Sequence, residues 1–322
     1  MEKPIYLYIC VFLLNCFHVI PAFSQQDAQF TQYMYNGIFY NPAFSGNEEG
    51  YQFSALHRSQ WSGYTTSAGA GGAPSTQLLS VSGGLERYNL GFGLVFVNEE
   101  IGATSNQEAN ISLAYHYSIG RGILSIGASA GAFSSTMDYD LLELVNPDLI
   151  VPEGGSENQM NTNFSVGAVY DRGNFYLGLS SRHLNEPHFD FGEGELGNQL
   201  KNHNYLLAGY RINTFALWSI EPSVLLKSVE VNNFSYDVSV IATYNNRVSG
   251  GLAYRGEESA SVILGYSLLK DNSLRLGYAF DLVIGGLEAK SPSSHELMLT
   301  YNLPQVRREF EKIIQRTPRY RF

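Results

Sequence analysis

Large apolar residues alternate with small or polar residues along most of the chain, from about residue 50 to residue 303. The run NLGFGLVFV places its Leu and Phe residues on one face of an extended chain, with Gly and Val on the other. In the later run LRLGYAFDL, Leu276, Tyr278 and Phe280 share a face opposite Gly277. A period of two is typical of β-strands whose faces meet different surroundings. The pattern predicts an all-β protein with Leu276, Tyr278 and Phe280 on its apolar face.

About fourteen segments carry this alternation, and most run about nine to twelve residues, the length that crosses a bilayer at a tilt. Strands of soluble sandwiches are usually shorter, about five or six residues. The segments begin near Tyr51, Thr76, Asn89, Gln107, Gly122, Asn161, Asn174, Lys201, Thr214, Asn233, Asn246, Glu257, Asn272 and Ser293. Together they predict a transmembrane antiparallel outer-membrane β-barrel of about fourteen strands over residues 50–303.

The connections between these segments alternate in length, as in outer-membrane barrels with short periplasmic turns and longer external loops. The tight turns are predicted at residues 86–88, 119–121, 172–173, 212–213, around 245, and 270–271. The long connections are predicted at residues 57–75, 134–160, 183–200 and 284–292, and residues 255–256 form the single short connection where a long one is expected. An even strand number places both ends of the barrel sequence on the periplasmic side.

The first 24 residues have the features of a signal peptide. Lys3 precedes a mostly apolar stretch at residues 5–20, and residues 22–24 form a small-x-small cleavage pattern. A membrane-anchoring helix is the alternative, but the stretch is short for a bilayer. Cys10 and Cys16 both lie in this segment, so the mature chain has no cysteine and no disulfide or thiol chemistry.

Composition and charge narrow the class further. The chain is 44% hydrophobic, 13% aromatic and 16% charged, which disfavours disorder. Its formal net charge of −10 argues against a nucleic-acid partner, because phosphate binding requires a basic face.

Two segments lie outside the predicted barrel. Residues 25–49 form an N-terminal segment, periplasmic or plug-like, in which aromatic residues, Asn-Pro and Gly indicate an ordered, turn-rich structure. This segment is predicted to pack against the barrel through Tyr33, Tyr40, Asn41 and Pro42. Residues 304–322 form a basic periplasmic tail with six basic and two acidic residues.

Both segments are candidates for partner docking. In the tail, apolar residues recur at helix-like spacing between basic ones, although a merely solvated tail is the alternative. The predicted docking residues are Tyr33, Asn36, Tyr40, Asn41, Pro42 and Gly46 in the first segment, and Arg307, Arg308, Phe310, Lys312, Ile313 and Arg316 in the tail.

No catalytic constellation, metal site or cofactor motif is predicted. His183, His188 and Asp190 share a predicted surface loop and could in principle hold a metal, but polar loops gather such residues by default. The polar strand faces carry Asp171, Arg275, Asp281 and Glu296. These four residues form either a lumen network that governs passage or ordinary polar filling of a barrel interior.

Three motifs resemble the PorP/SprF family of outer-membrane proteins of the Bacteroidetes type IX secretion system. They are QYMYNGIFYNPAFSG, HRSQW at residues 57–61 and SHELMLTY at residues 294–301. The family motif maps onto Gln32, Tyr33, Asn36, Asn41, Pro42, Ala43 and Gly46, followed by Arg58, Gln60 and Trp61, with a mild departure at Phe44 and Ser45.

The resemblance implies a non-enzymatic outer-membrane barrel of the secretion and gliding machinery. Its implied partners are periplasmic ring subunits of that system, a secreted adhesin-like protein that it helps to export or attach, and membrane lipid. The main alternative is a long-chain fatty-acid-type transport barrel, which also has an N-terminal Asn-Pro-Ala plug but is longer and needs an apolar ligand groove. An outer-membrane hydrolase is a third class, for which no triad motif is present.

Overall fold

The computed structural model describes most of the mature chain. It covers residues 26–48, 50–63, 73–142, 151–152, 154–192, 196–214, 217–229, 233–269, 271–284 and 293–303. The predicted signal peptide and the predicted basic tail lie outside these residues. Within them, no helix is both long and apolar enough to span a membrane.

The described chain is dominated by antiparallel strands. Their bounds are β1 Tyr51–Ser59, β2 Ser75–Leu85, β3 Leu90–Ile101, β4 Thr104–Ile119, β5 Gly122–Asp138, β6 Ser156–Asp171, β7 Phe175–Arg182, β8 His188–Phe191, β9 Leu196–Gln199, β10 His203–Tyr210, β11 Ile212–Asn213, β12 Trp218–Val229, β13 Asn233–Tyr244, β14 Val248–Arg255, β15 Ser259–Leu268, β16 Leu274–Val283 and β17 Ser293–Leu303.

Fourteen of these strands form a closed barrel. Sequential strands pair with one another, β10 pairs with β12, and β1 pairs with β17, with Tyr51 opposite Leu303. The two-residue strand β11 extends the edge of β12, and β8 and β9 form a separate hairpin in the connection between β7 and β10. The predicted architecture and strand number are confirmed.

The connections differ at the two ends of the barrel. Tight turns lie at one end, which we call the inner end because short turns face the periplasm in such barrels. At the opposite, outer end, the sequence prediction was partly wrong. Gly102 and Ala103 alone join β3 to β4, and residues 230–232 alone join β12 to β13, so 255–256 is not the single short connection there. The difference arises because the polar outer parts of the strands continue to pair, which shortens the loops between them. β4, β5 and β6 each run for 16 or 17 residues.

Side chains alternate between the outside and the inside of the barrel as the sequence predicts. On β16, Leu276 is 44% exposed, whereas Ala279 and Asp281 are buried in the interior. Tyr278 and Phe280 share the parity of Leu276, and Gly277 faces inward. The outer surface is apolar because it meets lipid.

Substituting Leu276 by arginine tests this assignment. An arginine on the lipid-facing side near the bilayer midplane costs about 2–4 kcal/mol of folding free energy in a membrane barrel. Leu276 is the third of the ten residues of β16 and lies nearer the inner interface, where the cost falls to about 0–1 kcal/mol, so we expect Leu276→Arg to lose an amount between these limits in denaturant titrations of the barrel folded into lipid vesicles. Leu276→Ala is the matched control, and equal stabilities of the two variants would contradict the assignment.

The N-terminal segment lies inside the barrel, and we call residues 26–48 the plug. It contains a 3-10 turn at Tyr33–Tyr35, one turn of α-helix at Gly37–Tyr40 and a 3-10 turn at Pro42–Phe44. Asn41 caps the last turn, because its side-chain oxygen accepts a hydrogen bond from the Ala43 amide at 2.9 Å.

The plug runs the length of the lumen from the outer end to the inner end. At the outer end, the Gln26 side chain donates to the Gln199 carbonyl at 2.9 Å and accepts from the Lys201 amide at 2.8 Å. Toward the inner end, the Gly46 amide donates to the Ser82 hydroxyl at 2.8 Å, shortly before β1 begins. The plug therefore reaches the external side of the membrane before it returns to the first strand.

Glycines on the barrel wall make room for the plug. A Cβ atom on Gly127 would lie 2.5 Å from the backbone nitrogen of Ala43, and one on Gly167 would collide with Asn41. Gly46 in the plug adopts a φ of 72°, and its own Cβ would lie 2.6 Å from the Cα of Gly91. These glycines allow the two backbones to approach more closely than side chains would permit.

Candidate functional site: the plug and its lumen contacts

A buried group of charged residues holds the first part of the plug against the wall. Arg58 of β1 contacts Asp281 of β16 at 2.7 Å and Glu296 of β17 at 3.1 Å. The backbone amides of Thr31 and Gln32 donate to the two oxygens of Glu296 at 2.8 and 2.9 Å. We call Arg58, Asp281 and Glu296 the Arg58 cluster. It joins the first strand, the last two strands and the plug.

A second group surrounds Asp27 near the outer end. Arg182 donates to Asp27 at 2.8 Å and to Glu108 at 2.6 Å, so that it bridges the plug and the wall. Asp27 also contacts His183 at 2.7 Å and accepts from the Tyr205 hydroxyl at 2.5 Å. Burial alone would raise the pKa of Asp27, but the Arg182 guanidinium holds it well below its ordinary value. Asp27 is therefore a carboxylate.

A third group lies on the wall between β12, β13 and β14. Asp237 pairs with Lys227 at 2.9 Å and with Arg255 at 3.0 Å. Nearby, the hydroxyl of Tyr33 lies within 3.2 Å of two lumen serines. Burial raises the pKa of Tyr33 to about 12, so its hydroxyl remains protonated and can donate.

The inner half of the plug makes neutral contacts. The Asn41 side chain donates to the Ala168 carbonyl at 3.1 Å and to the Leu179 carbonyl at 3.0 Å. The Ser45 and Ser112 hydroxyls are 2.7 Å apart. The plug is thus held by ion pairs near the outer end and by neutral hydrogen bonds nearer the inner end.

Aromatic packing completes the filling of the lumen. Phe30, Phe39 and Tyr40 are almost fully buried, and their rings meet edge to face. The guanidinium of Arg182 lies 4.2 Å from the ring centre of Phe39, and that of Arg275 lies 3.5 Å from that of Tyr35. Such contacts stabilise buried cations.

Two cavities beside the plug have volumes of about 10 Å³ each, close to the room that one water molecule needs. The first is lined by Ile38, Pro42 and Ser165, and the second by Asp27 and Glu108. Neither can hold a fatty acid or a peptide in this arrangement.

The structure brings together most of the predicted plug residues. Tyr33, Asn36, Tyr40, Asn41 and Pro42 are all buried within the barrel, which agrees with the predicted packing. Their predicted role in docking a partner stays a prediction, and in this arrangement it would require the plug to leave the lumen. Gly46 contacts the wall at Ser82 near the inner end of the barrel. The predicted docking residues of the tail, Arg307, Arg308, Phe310, Lys312, Ile313 and Arg316, lie outside the described residues.

The loop interpretation of His183 was wrong. His183 is fully buried beside Asp27, whereas His188 and Asp190 form an exposed pair at 2.9 Å on the β8–β9 hairpin. His183 directly follows the end of β7 at Arg182 and has a φ of 55°, and its side chain is buried against Asp27, which the polar sequence around it does not reveal.

The four residues predicted on the polar strand faces divide into two groups. Asp281 and Glu296 belong to the Arg58 cluster, and Arg275 packs on Tyr35, so these three line the lumen and contact the plug. Asp171 instead accepts from the Gly173 amide at 2.5 Å in the inner turn after β6, so it stabilises that turn.

Sequence reasoning missed Asp27, Glu108, Arg182 and His203. Glu108 and Arg182 occupy inward positions of their strands, so alternation could have placed them in the lumen. No local signal marks Asp27. Among the described residues, Asp27, His183 and His203 also form a group whose ligand atoms could hold a metal ion.

Together, the closed barrel, the apolar outer face and the filled lumen define an outer-membrane β-barrel plugged by its own N-terminal segment. Searches for similar proteins agree with this class. The chain belongs to the PorP/SprF family of type IX secretion system membrane proteins, whose model matches residues 22–301. No curated protein matches the sequence.

One similar solved structure supports the fold alone. The toluene transporter TbuX of Ralstonia pickettii has a TM-score of 0.53 and 13% identity, covering 83% of this chain and 93% of its own. The monoaromatic hydrocarbon channel CymD has a TM-score of 0.49 and 11% identity, covering 84% of this chain and 93% of its own. The family match places the protein in the outer membrane as a component of type IX secretion.

Proposed function

We propose that this protein is a non-enzymatic, plugged barrel that connects the periplasmic ring subunits of the type IX machinery with the cell surface. The secreted partner is an adhesin-like protein that the barrel helps to export or to attach. The observation that carries the proposal is the family match over residues 22–301. The filled lumen supports a role in assembly or anchoring, because it provides no path for a translocating chain.

The inner end is the surface that would meet the periplasmic partners. β1 begins and β17 ends there, so residues 304–322 leave the barrel on that side. These residues carry six basic and two acidic side chains, whereas the whole chain has a formal net charge of −10. A basic tail on an acidic protein suits an acidic partner surface.

The decisive experiment is affinity purification of the tagged protein from its own outer membrane. We expect periplasmic ring subunits to be recovered with the full chain and to be much reduced with a variant that ends at Leu303. Recovery with the full chain should fall as ionic strength rises, because contacts between exposed charges are screened by salt, so the difference between the two proteins should shrink.

The matched control keeps the tail but replaces Arg307 and Arg308 by glutamine. Partial loss in this variant would assign the contact to charge, and full recovery would assign it to the apolar positions. Undiminished recovery of ring subunits by the truncated barrel would contradict a docking tail. Absence of ring subunits even with the full chain would contradict the proposed function itself.

A transport barrel is the second candidate, because the fold of TbuX is similar. Such a role requires the plug to move, since the cavities beside it hold about one water each. Uptake of a hydrophobic substrate by vesicles that contain the purified barrel would favour it.

A further inference from the structure

Three side chains that can bind metals meet at the outer end of the plug. Asp27 comes from the plug, His183 directly follows β7, and His203 begins β10. One ligand atom from each lies within 4.8 Å of the others, and all three residues are buried. The group thus joins the N-terminal segment to two wall strands.

The hydrogen bonds of His183 determine which ring nitrogen carries the proton. Its Nδ1 lies 2.9 Å from Oδ1 of Asn163, whose amide nitrogen donates to Glu108 at 2.7 Å. The Glu108 carboxylate pairs with a guanidinium and can only accept hydrogen bonds. The Asn163 amide nitrogen must therefore point to Glu108, and its oxygen must point to His183. Nδ1 of His183 is therefore the donor, and Nε2 faces Asp27 Oδ1 at 2.7 Å.

His203 has the same arrangement. Its Nδ1 lies 2.9 Å from the Lys201 carbonyl oxygen, which can only accept, so Nδ1 carries the hydrogen. The remaining nitrogen, Nε2, is buried and has no hydrogen-bond partner. A buried nitrogen lone pair without a partner is costly, and in native proteins it calls for an explanation.

A positive species is needed between Nε2 of His183 and the carboxylate of Asp27. With Nδ1 protonated, a neutral His183 points a lone pair at a carboxylate oxygen 2.7 Å away, which is repulsive. The adjacent cavity is lined by the carboxylates of Asp27 and Glu108, and the only guanidinium bonded to this group among the described residues is that of Arg182. We propose that Asp27, His183 and His203 bind a divalent metal ion of the zinc type.

The surroundings match those of known metal ligands. Metal-binding histidines almost always donate their other ring N–H to a carbonyl, carboxylate or water, as both histidines do here. The second oxygen of Asp27 accepts from Arg182 at 2.8 Å and from Tyr205 at 2.5 Å, which leaves Oδ1 for the ion. Two imidazoles and one carboxylate suit zinc, with a fourth position for water.

The spacing is also suitable. Tetrahedral zinc with bonds of about 2.0 Å keeps its ligand atoms about 3.3 Å apart. Here one ligand atom from each residue lies within 4.8 Å of the others, and His183 Nε2 lies 2.7 Å from Asp27 Oδ1, so small side-chain rotations bring them to that value. The bound ion fastens the start of the plug to the outer ends of β7 and β10.

The test uses the full-length barrel purified from the outer membrane, stripped with a chelator and titrated with Zn²⁺ and with Co²⁺. We expect about one equivalent of zinc by elemental analysis and the visible absorption of tetrahedral Co²⁺. Asp27→Asn and His203→Gln each remove a ligand, so they should weaken binding by more than roughly 100-fold. That is the largest loss expected from removing a residue that only hydrogen-bonds to a ligand. Asn163→Ala should weaken it by about 10- to 100-fold.

His188→Gln is the matched control, because His188 pairs with Asp190 outside the barrel. This variant should bind zinc like the original protein. Heat-modifiable gel mobility verifies that each variant is folded. A folded original barrel that binds neither Zn²⁺ nor Co²⁺ would overturn the proposal, and so would equal affinities of the original protein, Asp27→Asn and His203→Gln.

Discussion

Replacing Arg58 by methionine is expected to lower the free energy of unfolding by about 3–5 kcal/mol, the usual cost of removing one partner of a buried ion pair. Arg58 is 2% exposed and is the cation that contacts Asp281 and Glu296 in its cluster. Its removal leaves two carboxylates close together in the lumen without the guanidinium that pairs with both. Denaturant titration of the barrel in lipid vesicles measures the loss.

Two further variants separate this effect from a general loss of charge. Arg211 pairs with Glu221, and its side chain is 55% exposed, so Arg211→Met should cost only about 0–1 kcal/mol. Adding Asp281→Asn and Glu296→Gln to Arg58→Met should recover part of the stability, because no charge is then left buried. If Arg58→Met were no more costly than Arg211→Met, the Arg58 cluster would not hold the plug.

Deleting residues 25–46 is expected to convert a closed barrel into a conducting one. The plug fills the lumen and leaves cavities of about 10 Å³, so the intact protein should show no steady conductance in planar bilayers. Without the plug, the charged wall residues face a water-filled lumen, and ions can pass. Single-channel recording measures the change, and secretion in the same strain should be lost.

A point substitution on the wall provides the matched comparison. Gly127 faces the plug, and a side chain there would meet the backbone of Ala43 at 2.5 Å, whereas the neighbouring Ala128 is exposed on the outer face. Gly127→Leu should therefore displace the plug and give intermittent conductance, and Ala128→Leu should remain closed. If the barrel without the plug did not conduct ions, or if it supported normal secretion, the proposed roles of the plug would be contradicted.

The sequence was sufficient to predict the barrel because lipid and lumen impose opposite demands on alternate residues. Leu276 and Gly277 show this directly, since adjacent positions face lipid and plug. The strand ends were less predictable at the outer side. β6 begins at Ser156 rather than near Asn161, because polar residues continue its pairing with β5 beyond the apolar segment.

The contacts of the plug could not be predicted, because they join positions far apart in the chain. Thr31 contacts Glu296, and Asp27 contacts His183, and no periodic pattern links such pairs. The motif residues Tyr33, Asn41 and Gly46 indicated an ordered segment, but their depth in the lumen depends on the shape of the closed barrel. Polarity alone placed His183 in a surface loop, although its hydrogen-bond partners lie inside.

The Arg58 cluster lies across the seam where the first strand meets the last. Arg58 is directly opposite Glu296 in the β1–β17 register, and the plug amides bind that same glutamate. Because these strands come from opposite ends of the barrel sequence, their pairing has the largest loop-closure cost and forms late during folding. The residue that pairs the first strand with the last is thus also the residue that binds the plug, so the position of the plug and the closure of the barrel share one contact.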